Sequence, residues 1–111
     1  MIFDVQEDHV LHAKTLQIEG FFSHEDFCKL LEEQLHTHRT WLIRTEKAKF
    51  ISLSDLEWLC KYEHYEQKIA IILSKDFFNK ERLLSLNTDV IAKDSIHFFN
   101  HVLEARAWLF S

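Results

Sequence analysis

The chain is poor in the residues that bend a backbone, with one glycine, Gly20, and no proline in 111 positions. That scarcity excludes several function classes. A dinucleotide-binding fingerprint or a Walker-type loop needs several glycines so that main-chain N–H groups can approach phosphate. A G-x-S-x-G nucleophile elbow needs glycines beside its serine. Cysteine is equally sparse. Cys28 and Cys60 are the only two, too few for a disulfide scaffold, and both fall in helical patterns, so reduced thiols of a cytoplasmic protein are expected. Basic charge forms no block: acidic and basic residues are mixed and the net charge is −5. A nucleic-acid partner needs a concentrated Lys/Arg surface, so none is expected. Long apolar runs are missing too. The longest, Ile69–Leu73, is far too short to cross a bilayer. The residues after Met1, "IFDVQEDHV", have neither the basic nor the apolar region of a secretory signal. The expectation is a cytoplasmic protein without a membrane span.

What the chain does have is apolar mass. Hydrophobic residues make up 47% of it, with ten Phe and three Trp, enough for one modest core in a single domain over residues 1–111. Ile2–Val5 and Val10–Ile18 read as strands joined by a polar turn, Gln6-Glu7-Asp8-His9, and Gly20 ends the second strand. Ser23, with Asp26 three residues on, opens a helix as a capping-box variant. Phe27, Leu30, Leu31 and Leu35 form its apolar stripe. Trp41–Thr45 is a third strand. A second helix follows from about Asp55 to Glu63, with Leu56, Leu59 and Cys60 on one face. "KIAIILS" is apolar on both faces, the mark of a central strand in a sheet covered on both sides. Ser74 caps a third helix to about Leu86, built on Phe77, Phe78, Leu83 and Leu84. "SIHFF" is a fifth strand, and Asn100 or His101 opens the last helix, "VLEARAWLF". The expected fold is α/β: a mostly parallel, mixed five-stranded sheet with an N-terminal β-hairpin and four helices.

Candidate chemistry is thin. The close histidine pairs are His9/His12, His36/His38 and His97/His101. None places two ligands at i and i+4 on one helix, and no HExxH or Cys-x-x-Cys accompanies them, so no metal is expected. Cys28 and Cys60 read as small hydrophobes against the core. The carboxylates Glu25, Asp26, Glu32 and Glu33, and Asp55, Glu57 and Glu63, read as solvated helix faces with favourable charge near helix N-termini. No catalytic residues and no cofactor are expected. Trp58 lies about 200° round its helix from Leu56, off the apolar stripe. Two placements are open for it: sideways packing under a neighbouring element, or exposure beside Tyr62 as a partner surface.

The segment "AKFISLSDLEWL" concentrates the interest. Ser54 and Glu57 fit the capping box S-x-x-E, in which the hydroxyl accepts from the Glu57 N–H and the carboxylate reaches back to the Ser54 N–H. Strand, loop, serine and helix, followed by an all-apolar strand, resemble the STAS domain of bacterial anti-sigma-factor antagonists and its STAS-like, SpoIIAA-like relatives. In that family the third strand leads through an apolar pair into Asp-Ser-Ser-Gly-Leu, whose second serine is phosphorylated by a partner kinase. Phe50-Ile51 match the apolar pair, Ser52 stands in the Asp position and Leu53 in that of the first Ser. Ser54 matches the phosphorylated Ser, Asp55 the Gly and Leu56 the Leu. Asp55 and Glu57 would then face a phosphate on Ser54 within one turn. The ending Glu104-Ala105-Arg106-Ala107-Trp108-Leu109 is also similar to STAS-like proteins that close with a Glu-Ala-x-x-Trp-Leu helix.

The resemblance implies a non-enzymatic regulatory domain acting through protein–protein contact, at a surface made of Ser52, Ser54, Asp55 and Trp58. A homodimer is compatible with so small and aromatic-rich a domain. The alternative is a small-ligand-binding domain or an enzyme with a pocket at the C-terminal ends of the strands, where such sheets place ligands. Thr45, Ser74 and a nearby histidine would line it.

Overall fold

The N-terminal hairpin is longer than the sequence suggests. In the computed structural model, which describes residues 2–10, 12–49, 52–61, 67–74 and 95–111, β1 spans Ile2–Asp8 and β2 spans Ala13–Phe21. They pair antiparallel from Ile2↔Glu19 to Asp8↔Ala13, so Gln6, Glu7 and Asp8 are strand and the turn lies beyond them. His12 adopts φ 52°, the left-handed geometry that such a turn demands. β1 is an edge strand and is exposed along most of its length. With so little of it buried, its side chains need not alternate strictly, and their polarity therefore mimics a turn. Gly20 does not end β2. It sits one residue before the end, with φ 83°, a conformation that suits glycine.

Ser23 caps α1, His24–Gln34, by accepting from the Asp26 N–H at 3.1 Å. Phe27, Leu30 and Leu31 are buried on one face of it, as their spacing requires. A 3₁₀ turn at Leu35–Thr37 leads into β3, Thr40–Lys49. Next come α2, Leu53–Lys61, β4, Lys68–Ile72, β5, Ile96–Phe99, and α3, Val102–Phe110. These three helices are those of the described residues. The helix expected from Ser74 to Leu86 falls almost wholly on residues 75–94, outside the described ones, as do Glu63 and Tyr62.

The five strands form one sheet in the order β1-β2-β3-β4-β5, and every pair after the first is parallel. This is the mixed, mostly parallel sheet expected. Leu16, Ile18, Trp41, Ile43, Ile69, Ile71, Ile96 and Phe98 face α1 and α2 in the larger core. Leu42, Ala70, Ile72 and Phe99 face α3 through Ala105 and Leu109. β4 supplies both layers, which is why its run is continuously apolar. Between Gln17↔Arg44 and Glu19↔Lys47 the register slips, leaving Thr45 and Glu46 of β3 opposite Ile18 alone, a β-bulge. Thr45 is buried there and donates its hydroxyl proton to the Ile72 carbonyl at 2.8 Å.

Candidate functional site

The start of α2 is capped by Ser52, not Ser54. The Ser52 hydroxyl accepts from the Asp55 N–H at 3.3 Å, and the Asp55 Oδ2 accepts in return from the Ser52 N–H at 2.7 Å and the Ser52 hydroxyl at 3.0 Å. The Asp55 and Leu56 N–H groups also donate to the Ser52 carbonyl. This is a capping box shifted by two residues, with aspartate in the place of glutamate. The sequence holds two overlapping serine-acid pairs three apart, and the expectation chose the wrong one. Ser54 becomes the second residue of the helix and is exposed, as is Glu57.

The choice is decided by a residue far away in the chain. Asp55 is only 2% exposed, and its second oxygen, Oδ1, lies 2.6 Å from Nδ1 of His24, the first residue of α1. A buried carboxylate must be paired, and Asp55 has partners on both oxygens. An ionised carboxylate only accepts, so a hydrogen bond here puts a proton on His24 Nδ1, and in that neutral tautomer Nε2 is an acceptor. One helical turn on, the Cys28 Sγ stands 3.5 Å from that Nε2. Ser52, Asp55, His24 and Cys28 thus form one chain of polar contacts that joins the starts of α1 and α2.

Cys28 is a free, partly exposed thiol. Burial pushes it up from its ordinary value, and the carboxylates of Asp55 and Glu32 push in the same direction. Cys28, expected as a small hydrophobe against the core, is instead partly exposed and in polar contact with His24, which belongs to none of the close histidine pairs. The i, i+4 spacing of "HEDFC" was visible, but the carboxylate that orients the ring comes from 31 residues further on.

Trp58 takes the packed placement of the two left open. It is half-buried against the larger core and meets Phe27 edge-on, with ring centroids 6.4 Å apart at 74°. It therefore fastens α2 to α1, while Ser54 is exposed on α2. At the other candidate place, the C-terminal ends of the strands, the Thr45 hydroxyl is committed to the main chain. Nearby on β5's exit the Asn100 Nδ2 is buried without a hydrogen-bond partner among the described residues. No helix among the described residues is long and apolar enough to cross a membrane.

Neither a family model nor a curated protein matches this sequence. The architecture is a known one all the same: an α/β fold of the SpoIIAA-like kind. A solved structure of an uncharacterised protein of the DUF3478 family from Shewanella loihica, described as having a SpoIIAA-like fold, superposes with a TM-score of 0.60. The match covers 97% of this chain and 92% of that one at 21% identity, a likeness of fold.

Proposed function

We propose that the chain is a non-enzymatic regulatory domain of STAS-like type that binds a protein partner at the start of α2. The observation that carries this reading is the division of labour between the two serines. With the cap made by Ser52 and Asp55, the exposed Ser54 hydroxyl is not needed to hold the helix. It stands within the first turn, where the helix dipole favours added negative charge. Asp55, which would repel a phosphate there, is turned inward and engaged with His24, leaving Glu57, beyond the first turn and three residues on from Ser54, as the exposed carboxylate of the neighbourhood.

The test is affinity capture from the native host with wild type, Ser54→Asp and Ser54→Arg. A contact centred on Ser54 predicts a specific partner held by wild type and lost by at least one of the two charged variants. A partner held equally by all three would move the contact elsewhere. No specific partner with any bait would remove the support for an interaction domain.

A further inference from the structure

Beyond the partner-binding reading, and independently of it, we propose that Cys28, His24 and Asp55 form a base-assisted thiol site that exchanges with small uncharged or cationic disulfides. The geometry is that of an activated nucleophile: a thiol beside an imidazole, the imidazole oriented by a third group. Sγ lies 3.5 Å from His24 Nε2, and Nδ1 is held at 2.6 Å by Asp55. Asp55 is fixed in turn by the Ser52 N–H and hydroxyl, so it acts as a positioning residue. His24 is about half exposed and Cys28 partly so, which leaves a small reagent a way in.

The surroundings select the chemistry. Cys28 is the fifth residue of α1, where the main-chain N–H is already committed to the helix. That N–H is therefore not free to receive an oxyanion developing on an acyl group, which disfavours acyl transfer. Disulfide exchange needs no such donors. The thiol gives its proton to His24 Nε2, and the sulfur attacks one sulfur of the reagent, breaking its S–S bond and forming a mixed disulfide on Cys28. The departing thiolate takes up the proton and leaves as a thiol. Cys28 is thereby oxidised and half of the reagent reduced. The charged groups bearing on Cys28 are Asp55 from α2 and Glu32 one turn on in α1. Both are anionic, so they hold the thiol protonated, which makes the base necessary, and they repel anionic disulfides.

The experiment uses the full chain carrying Cys60→Ala, in which Cys28 is the only remaining thiol. Its reaction with dithiodipyridine, an uncharged disulfide, is followed by the release of thiopyridone. At about pH 7 the parent should react roughly tenfold or more faster than His24→Gln, the scale of a positioned general base. The two rates should converge at strongly alkaline pH, where hydroxide ionises the thiol unaided. A ratio that stays constant across pH, or equal rates throughout, would overturn the proposal. Glu32→Gln gives a second reading that leaves the triad intact. It should speed the reaction with the dianionic dithiobis(nitrobenzoate) more than that with dithiodipyridine, and equal changes would overturn the stated selectivity.

Discussion

The Asp55 carboxylate and the His24 imidazole meet at 2.6 Å across 31 residues of chain, one buried and the other half in water. This contact ties the first turn of α2 to the first residue of α1. It also determines which serine caps α2, because the capping aspartate is the one whose free oxygen has a partner. The same ring nitrogen pair sets the environment of Cys28. One buried carboxylate therefore links helix start, interhelical contact and thiol.

The cap makes a direct prediction. Ser52→Ala should cost about 1 kcal/mol of unfolding free energy, the usual loss for an N-cap. Ser54→Ala, at an exposed position outside the cap, should stay within about 0.5 kcal/mol. Urea denaturation of the two variants checks the order. A larger loss at Ser54 would restore the Ser54–Glu57 box.

Asp55→Asn should be more damaging than either. With its oxygen on the Ser52 N–H, the amide would turn its nitrogen to His24 Nδ1, which can accept only in the other neutral tautomer, so the charge-assisted bonds to a buried carboxylate are lost even where a neutral bond replaces one. A cost of about 2–3 kcal/mol is expected. His24→Gln should cost clearly less, since that side chain is half exposed and its removal leaves Asp55 the two Ser52 donors. Equal losses would mean that the imidazole, and not the cap, is what stabilises the carboxylate.

These relations explain what the sequence made legible. β4 could be read because Ile69, Ala70, Ile71 and Ile72 are all buried, two on each side of the sheet, and only a strand covered on both faces demands that. α1 could be read because Ser23 and the Phe27, Leu30, Leu31 stripe agree on one start and one period. The hairpin turn was misplaced because β1, on the edge, has no buried face strong enough to show its period. The cap was misplaced because Ser52-Asp55 and Ser54-Glu57 are locally equivalent, and His24 breaks the tie through a tertiary contact. The polar role of His24 and Cys28 was hidden for the same reason. The SpoIIAA-like fold survived those errors because it depends on the order and burial of strands, which the local mistakes leave unchanged.

His97 gives the fold a pH response on the opposite face. Its ring stacks on Trp108 at 5.6 Å and lies 5.0 Å from Phe99, and this burial holds its affinity for a proton below the ordinary value of 6.5. The unfolded chain accepts a proton near that value while the folded state resists it. The contribution to stability is therefore full above about pH 6.5 and is lost as pH falls through the lower folded value. His97→Phe keeps an aromatic ring and removes the titration. Its denaturation midpoint should fall less steeply than the wild type's between about pH 7 and pH 5. Parallel curves would show that His97 titrates alike in both states.

Behind the 3₁₀ turn, two side chains share the same pair of acceptors. The Trp41 indole N–H reaches the carbonyls of Leu35 and His38 at 3.1 and 3.2 Å, and the Gln67 amide reaches the same two at 2.5 and 3.0 Å. Either donor alone can keep these carbonyls satisfied. Trp41→Phe should therefore cost about 2 kcal/mol, mainly through lost volume in a fully buried site. Gln67→Met should cost about 1 kcal/mol. The double variant removes both of the donors found among the described residues and leaves acceptors unpaired beside the core, so its loss should exceed the sum of the singles by about 1 kcal/mol. A double-mutant cycle in urea measures this directly. Simple additivity would mean that water reaches the end of the turn and replaces the missing donors, so that the seal formed by Trp41 and Gln67 is not needed to keep it dry.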